Sequence, residues 1–216
     1  MIVGSLRSSN LEDKRISITP ESAKSYISLG LNVILEKNYG LHLNISDNDY
    51  KKNSVKIVED RNEILQNSDL ITLVSFNNQF DEKIIKENCI VIGLLEENIK
   101  NNFNKKNIKL FSLNKLPRIT RAQSMDVLSS QANLGGYRAV IDAMFEFEKA
   151  LPMMMTAAGT IPAARVLVIG VGVAGLQAIA TAKRMGAIVS ATDVRAAAKE
   201  QVESLGAKFL FVDNNE

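Results

Sequence analysis

Residues 165–175 read Arg165-Val-Leu-Val-Ile-Gly170-Val-Gly172-Val-Ala-Gly175, an apolar run followed by glycines in the spacing Gly-x-Gly-x-x-Gly. A helical pattern comes next, and then a second apolar run that ends in Asp193. Together they predict a buried strand, a tight turn, a helix and a second parallel strand. In such a unit the first glycine permits the turn, the second lets the backbone approach a pyrophosphate, and the third lets the helix pack close to the strand. The stretch therefore predicts a dinucleotide site rather than a turn that binds nothing.

The predicted site favours NAD over NADP. The pyrophosphate is expected at the free N–H groups and positive end of the helix. Asp193 lies 18 residues after Gly175, a spacing that lets it accept hydrogen bonds from the two ribose hydroxyls. A 2′-phosphate would bring negative charge against that carboxylate. Arg195 leaves three roles open, which are contact with a 2′-phosphate, stacking on adenine and exposure to solvent. The expected cofactor contacts of this turn are Gly170, Gly172, Val173, Ala174, Gly175, Asp193, Val194 and Arg195.

Composition excludes several other classes of protein. A net charge of +2 with dispersed basic residues gives no sign of nucleic-acid binding. The single cysteine, Cys89, cannot form an intrachain disulfide, fits a reducing cytoplasm and is expected to pack inside a strand. The only histidine, His42, is expected in a solvated loop, and no metal site is predicted. No apolar run reaches 18 residues and no signal peptide is visible, so neither a membrane span nor export is predicted.

The first 115 residues alternate short apolar runs with helical patterns, which predicts a parallel sheet covered by helices. This part has no glycine-rich phosphate turn, so it is expected to hold no nucleotide. Strands are predicted at 2–5, 32–36, 55–58, 70–75, 90–94 and 108–112, and helices at 20–29, 60–66 and 81–87.

The composition then becomes rich in alanine, and a long helix is predicted over 122–151. Its Gly135-Gly136 pair indicates either a weak point or a close approach of another backbone. A second array follows, with strands predicted from 165, at 188–192 and at 208–212, and helices at 174–185 and 196–205. The predicted class is α/β, with two Rossmann-like doubly wound parallel-sheet domains joined by a long helix, the second truncated. The predicted boundaries are 1–121, 122–151 for the linking helix, and 152–216 for the first half of an NAD-binding domain.

A further run reads Pro117-Arg118-Ile-Thr-Arg121-Ala-Gln123-Ser-Met-Asp126. Taken with Gly135-Gly-Tyr-Arg-Ala139, Thr156-Ala-Ala-Gly-Thr-Ile-Pro162 and the glycine turn, it closely resembles the NAD(H)-binding component of the proton-translocating NAD(P) transhydrogenase family. The match is strong over 116–212 and weaker but continuous before that, through Lys14-Arg15-Ile-Ser-Ile-Thr-Pro20. The wider relatives are the alanine dehydrogenases.

The resemblance implies hydride transfer from NADH to NADP⁺, with NADP(H) on a separate partner domain and the transfer coupled to proton passage through a membrane-spanning domain. It also implies a homodimer in the cytoplasm, peripheral on the cytoplasmic face of the inner membrane through its partner subunits. By resemblance, Arg118, Gln123 and Asp126 are the catalytic loop beside the nicotinamide. Ile119 and Thr120 of that loop are expected cofactor contacts. The residues alone also allow a capping and salt-bridge cluster at the helix start.

Two alternatives accompany this expectation. An alanine dehydrogenase would by resemblance carry a Lys on the strand after Asp69-Leu70 and a His after the next strand. The runs at 70–76 and 90–97 contain neither residue, although Arg15 is present. The other alternative is a fragment that binds NAD without turnover, because only the first half of the nucleotide fold is visible. On that ground the 216 residues alone are expected to be inactive.

Overall fold

The computed structural model describes residues 1–8, 10, 12–76, 83–95, 106–117 and 119–211, apart from the side chains of Phe76 and Leu95. The chain divides into two compact units, Met1–Met125 and Asp126–Glu216. Both contain parallel strands joined by helical crossovers, which confirms the predicted α/β class. Within the described ranges, none of the helices combines the length and apolarity that crossing a bilayer requires.

The first unit contains a six-stranded parallel sheet in the order β3-β2-β1-β4-β5-β6. This is the strand order of a doubly wound dinucleotide-type fold. Its elements are β1 (Ile2–Ser5), α1 (Pro20–Ser28), β2 (Asn32–Glu36), α2 (Asp47–Lys51), β3 (Lys56–Val58), α3 (Arg61–Asn67), β4 (Leu70–Phe76), β5 (Ile90–Leu95) and β6 (Lys109–Ser112). Short 3₁₀ helices lie at Leu41–Leu43, Leu113–Lys115 and Thr120–Met125.

Apolar side chains cover both faces of that sheet, as a parallel sheet requires. One cluster includes Ile64, Ile71 and Val91, and the other includes Val33 and Leu35. Cys89 is fully buried in the first cluster, which confirms its predicted packing role.

The second unit contains a three-stranded parallel sheet in the order β11-β10-β9 and a separate antiparallel hairpin. Its elements are α4 (Val127–Phe147), β7 (Met154–Thr156), β8 (Gly159–Ile161), β9 (Arg165–Ile169), α5 (Val173–Arg184), β10 (Ile188–Thr192), α6 (Ala198–Ser204) and β11 (Lys208–Phe209). The glycine turn is the β9–α5 connection, so the predicted βαβ unit is confirmed.

Two predicted helices differ from the structure. Residues 83–87 form turns instead of a helix, and the rest of the prediction at 81–87 lies outside the described residues. The backbone groups there bond elsewhere: Lys86 N–H donates to the Leu65 carbonyl at 3.0 Å, and the Lys106 ammonium donates to the Ile85 carbonyl, also at 3.0 Å. The long helix is shorter than predicted at both ends, because Asp126 caps its start and Glu148 ends it in a left-handed conformation (φ 53°).

Candidate functional site

The turn after β9 has the backbone that a phosphate-binding turn requires. Gly170 has a φ of +93°, a conformation that side-chain-bearing residues rarely adopt. A Cβ atom added to Gly175 would lie 1.9 Å from the carbonyl oxygen of Gly170, so only glycine allows α5 to sit this close to the strand. A Cβ added to Gly172 would face open space, so the backbone of this residue is accessible. The close packing predicted for Gly175 is confirmed.

The N-terminus of α5 is open. Gly172 is its N-cap, and no described side chain caps the helix there. The first four N–H groups of a helix have no partner within the helix, so those at the start of α5 are available to an anion. Val173 and Ala174 belong to this first turn.

Asp193 follows β10 and faces this turn. Its Oδ2 accepts a hydrogen bond from the N–H of Val171 at 2.6 Å, and its Oδ1 accepts one from the N–H of Arg195 at 2.9 Å. The Arg195 side chain adds two more, from Nε to Oδ1 at 2.9 Å and from Nη2 to Oδ2 at 3.1 Å. The Asp193 side chain is only 7% exposed, whereas that of Arg195 is 61% exposed. The carboxylate is thus held at a fixed place beside the glycine turn.

These contacts keep Asp193 ionised. The hydrogen bonds from the Arg195 side chain, the Arg195 N–H and the Val171 N–H hold the pKa of the Asp193 carboxyl far below its usual range. Asp193 in turn raises the pKa of the Arg195 guanidinium. At neutral pH the carboxylate is therefore a pure acceptor, as recognition of two hydroxyl donors requires.

A cavity of about 480 Å³ opens at the carboxyl ends of β9, β10 and β11. Its lining residues are Ile169, Gly170, Thr192, Asp193, Val194, Ala196, Phe209 and Phe211. The rings of Phe209 and Phe211 meet edge to face with centroids 5.0 Å apart. Parallel sheets bind ligands at this edge, and the apolar walls suit an aromatic base. Sequence reasoning missed the two phenylalanines, although the apolar run at 208–212 was a signal for them.

A second cavity, of about 430 Å³, lies between α4 and β9. Apart from Arg165 its lining is apolar, including Val140, Met144 and Phe147. It lacks the polar groups that would orient a dinucleotide, so the site is assigned to the first cavity. In the described part of the chain, the His, Cys, Asp and Glu side chains form no group that could hold a metal ion.

Asp126 begins α4 and acts there as its cap. Its Oδ1 accepts from the N–H of Ser129 at 2.9 Å, and its Oδ2 accepts from the Ser129 hydroxyl at 2.7 Å. Further along, a Cβ on Gly136 would lie 2.0 Å from the Ala174 carbonyl oxygen, so α4 touches the first turn of α5 at that point. The ten residues between Asp126 and Gly136 span about 15 Å of helix. The structure therefore does not bring Asp126 to the glycine turn.

The rest of the predicted loop belongs to the first unit. Gln123 is exposed on the 3₁₀ helix Thr120–Met125, and Ile119 and Thr120 are exposed just before and at its start. Arg118 lies outside the described residues. Of the predicted site, the structure thus brings together residues 170–175 and 193–195.

Comparison with protein families matches nearly the whole chain. Residues 6–135 match the family "Alanine dehydrogenase/PNT, N-terminal domain", and residues 139–216 match "Alanine dehydrogenase/PNT, C-terminal domain".

Individual relatives agree with this assignment. The chain is 48% identical over 211 residues to an NAD(P) transhydrogenase alpha subunit of Rhodospirillum rubrum, covering 94% of this chain and 55% of that protein. It is 46% identical to the crystal structure of transhydrogenase from Sinorhizobium meliloti, with a TM-score of 0.89, covering 98% of this chain and 64% of that one. A solved L-alanine dehydrogenase shares the fold alone, at 16% identity and a TM-score of 0.81, over 99% of this chain and 61% of the other. The chain spans about half the length of the curated relative.

Proposed function

Because this chain belongs to the alanine dehydrogenase/PNT family, we propose that it is the NAD(H)-binding component of a proton-translocating NAD(P) transhydrogenase. The reaction is direct hydride transfer from NADH to NADP⁺, with NADP(H) held on a partner domain. Proton passage through a membrane-spanning partner is coupled to that transfer. In this proposal the component is a homodimer on the cytoplasmic face of the inner membrane, attached through its partners.

The carrying observation is the buried Asp193 carboxylate beside an open helix N-terminus. The Val171 N–H holds the carboxylate at 2.6 Å, and the glycine turn leaves the first N–H groups of α5 accessible. One group suits a ribose diol and the other a pyrophosphate. The cavity beside Phe209 and Phe211 accommodates an aromatic base. These features together support a site for the adenosine and pyrophosphate parts of NAD(H).

The proposed catalytic loop works by positioning. Hydride transfer between two nicotinamide rings requires no general acid or base, only rings that are close and aligned. Gln123, exposed on its 3₁₀ helix, offers a donor and an acceptor for a carboxamide or a ribose. Asp126 fixes the start of α4 through Ser129, and we assign Arg118 to the same loop.

An alanine dehydrogenase is the second candidate, because the same family includes those enzymes. Oxidative deamination needs groups that move protons and polarise a carbonyl or imine. The strands where the resemblance places the required Lys and His are β4 and β5, and neither strand contains these residues. The residues therefore favour the transhydrogenase role. An NAD-binding piece without turnover is the remaining alternative.

Nucleotide titration and a dehydrogenase assay test the proposal. We expect NADH to bind the chain saturably and more tightly than NADPH, as followed by NADH fluorescence. We also expect no reduction of NAD⁺ when alanine is added, and no NADH oxidation with pyruvate and ammonium. Absence of NADH binding, or robust amination of pyruvate, would contradict the proposal.

A further inference from the structure

The carboxylate of Asp193 is saturated with hydrogen bonds from the protein itself. A carboxylate offers about four lone-pair positions. Four donors fill them, two from the backbone N–H groups of Val171 and Arg195 and two from the Arg195 side chain. The Arg195 side chain takes one position on each oxygen. No position is left for a ribose hydroxyl while the Arg195 side chain stays in place.

Withdrawal of that side chain frees one acceptor position on each oxygen. The two backbone N–H groups continue to hold the carboxylate, so its place does not depend on the guanidinium. Two freed positions match the two hydroxyls of an unmodified ribose. The Arg195 side chain is 61% exposed, and an exposed ion pair contributes at most about fivefold to an equilibrium constant. The withdrawal is therefore compatible with nucleotide binding.

The first unit contains the same arrangement in a closed form. Glu36 ends β2 as Asp193 follows β10, and its Oε2 accepts from the N–H of Arg7 at 2.9 Å, two residues after β1. The Arg7 side chain donates to Oε1 at 3.2 Å, and the Arg61 guanidinium lies 3.5 Å from Oε2. Arg61 also donates to the Arg7 carbonyl, as Arg195 does to that of Val171. Two arginines from separate elements hold Glu36, whereas one exposed arginine covers Asp193.

We propose that Arg195 is a specificity-determining residue: its side chain covers both acceptor positions of Asp193 and leaves them only for a ribose that carries two free hydroxyls. The inference rests on the proposed NAD(H) site. A ribose with a 2′-phosphate has one free hydroxyl, so it replaces only one of the two bonds and brings negative charge to the carboxylate. The Arg195 guanidinium then pairs with the phosphate. Arg195 therefore narrows the preference for NADH over NADPH.

Arg195→Gln tests this proposal, with Arg138→Gln as the matched control. Arg138 is also an exposed arginine in an ion pair, with Asp142 on α4, so the control removes the same charge elsewhere in the unit. We expect Arg195→Gln to bind NADH up to about fivefold more tightly and NADPH more weakly than the parent chain. We expect the control to match the parent. A second measurement is the Arg195 Nε–H signal by NMR, assigned by its loss in the variant, which should shift on addition of NADH.

The outcomes separate the two levels of the argument. Markedly weaker NADH binding by Arg195→Gln, with an unchanged melting temperature, would make Arg195 a direct ligand and overturn the inference. An unchanged ratio of NADH to NADPH affinity would overturn it as well, while the NAD(H) site would stand. If the parent chain binds no NADH, the proposed site and the inference both fail.

Discussion

At the scale of single residues, Asp193 shows both what a sequence can predict and what it cannot. Its distance from the glycine turn predicted an acid at the end of the second strand, and the acid is there. The sequence left the role of Arg195 open among three alternatives. Its bidentate contact with Asp193 depends on side-chain conformation across a turn, which residue spacing does not determine. The same holds for Ser129, whose bonds to Asp126 appear only once α4 has its true start.

Asp193→Ala should narrow the difference between NADH and NADPH affinity by roughly tenfold or more, because hydrogen bonds to a charged acceptor are lost. Fluorescence titration of both nucleotides measures the change. Asp142→Ala is the matched control, since Asp142 is an exposed carboxylate of the same unit, paired with Arg138. Equal affinities for the two nucleotides in the parent chain would refute the role of Asp193.

Gln123→Asn should slow hydride transfer far more than it weakens NADH binding. The shorter amide misplaces the ring, while the pyrophosphate site on α5 is untouched. Stopped-flow transfer to an NADP⁺ analogue on the partner domain, with this chain built into a full-length subunit, compares the two effects. A large rise in the NADH dissociation constant at an unchanged transfer rate would assign Gln123 to binding instead.

At the scale of elements, strands were easier to predict than helix ends. β1, β2 and β10 match their predicted ranges because buried parallel strands are unbroken apolar runs. The ends of α4 depend on Asp126 and on Glu148, a residue with no sequence preference for a left-handed conformation. The hairpin β7–β8 was missed, since its strands are three residues long and exposed. Local capping and turn geometry therefore account for most of the differences.

The two adjacent glycines of α4 give a matched pair of variants. A Cβ on Gly136 would collide with the Ala174 carbonyl, whereas a Cβ on Gly135 would meet open space. Gly136→Ala should lower the free energy of unfolding by about 1–3 kcal/mol through overpacking. Gly135→Ala should raise it by about 0.5–1 kcal/mol, because alanine favours a helix. Urea unfolding followed by circular dichroism compares them, and equal effects would show that α4 does not pack on α5 as described.

Cys89 reports on the core of the first unit. The thiol is fully buried ahead of β5, and burial raises its pKa to about 11. A thiol reagent such as DTNB should therefore not react with the native chain under mildly alkaline conditions, and should react once in unfolding concentrations of urea. Rapid labelling without denaturant would place Cys89 outside the core.

At the scale of the whole molecule, the two units share one motif and differ in how it is closed. Each has a first strand, a turn whose N–H binds an acid, and a second strand that leads to that acid. The first unit has the complete strand order of a dinucleotide fold, yet Arg7 and Arg61 both hold its acid and it has no glycine turn. The missing glycines alone predicted a first unit that holds no nucleotide. The arginine pairs add a second physical reason, which was visible only in the structure.

Hydride transfer between nucleotides tests the central claim most directly. A chimera in which this chain replaces its matched region of the Rhodospirillum rubrum subunit would be assayed with NADH and thio-NADP⁺, with and without an NADP(H)-binding domain. We predict reduction of thio-NADP⁺ only when that domain is present, and none by the 216 residues alone. Reduction without the partner domain, or none by a chimera that folds and binds NADH, would contradict the account.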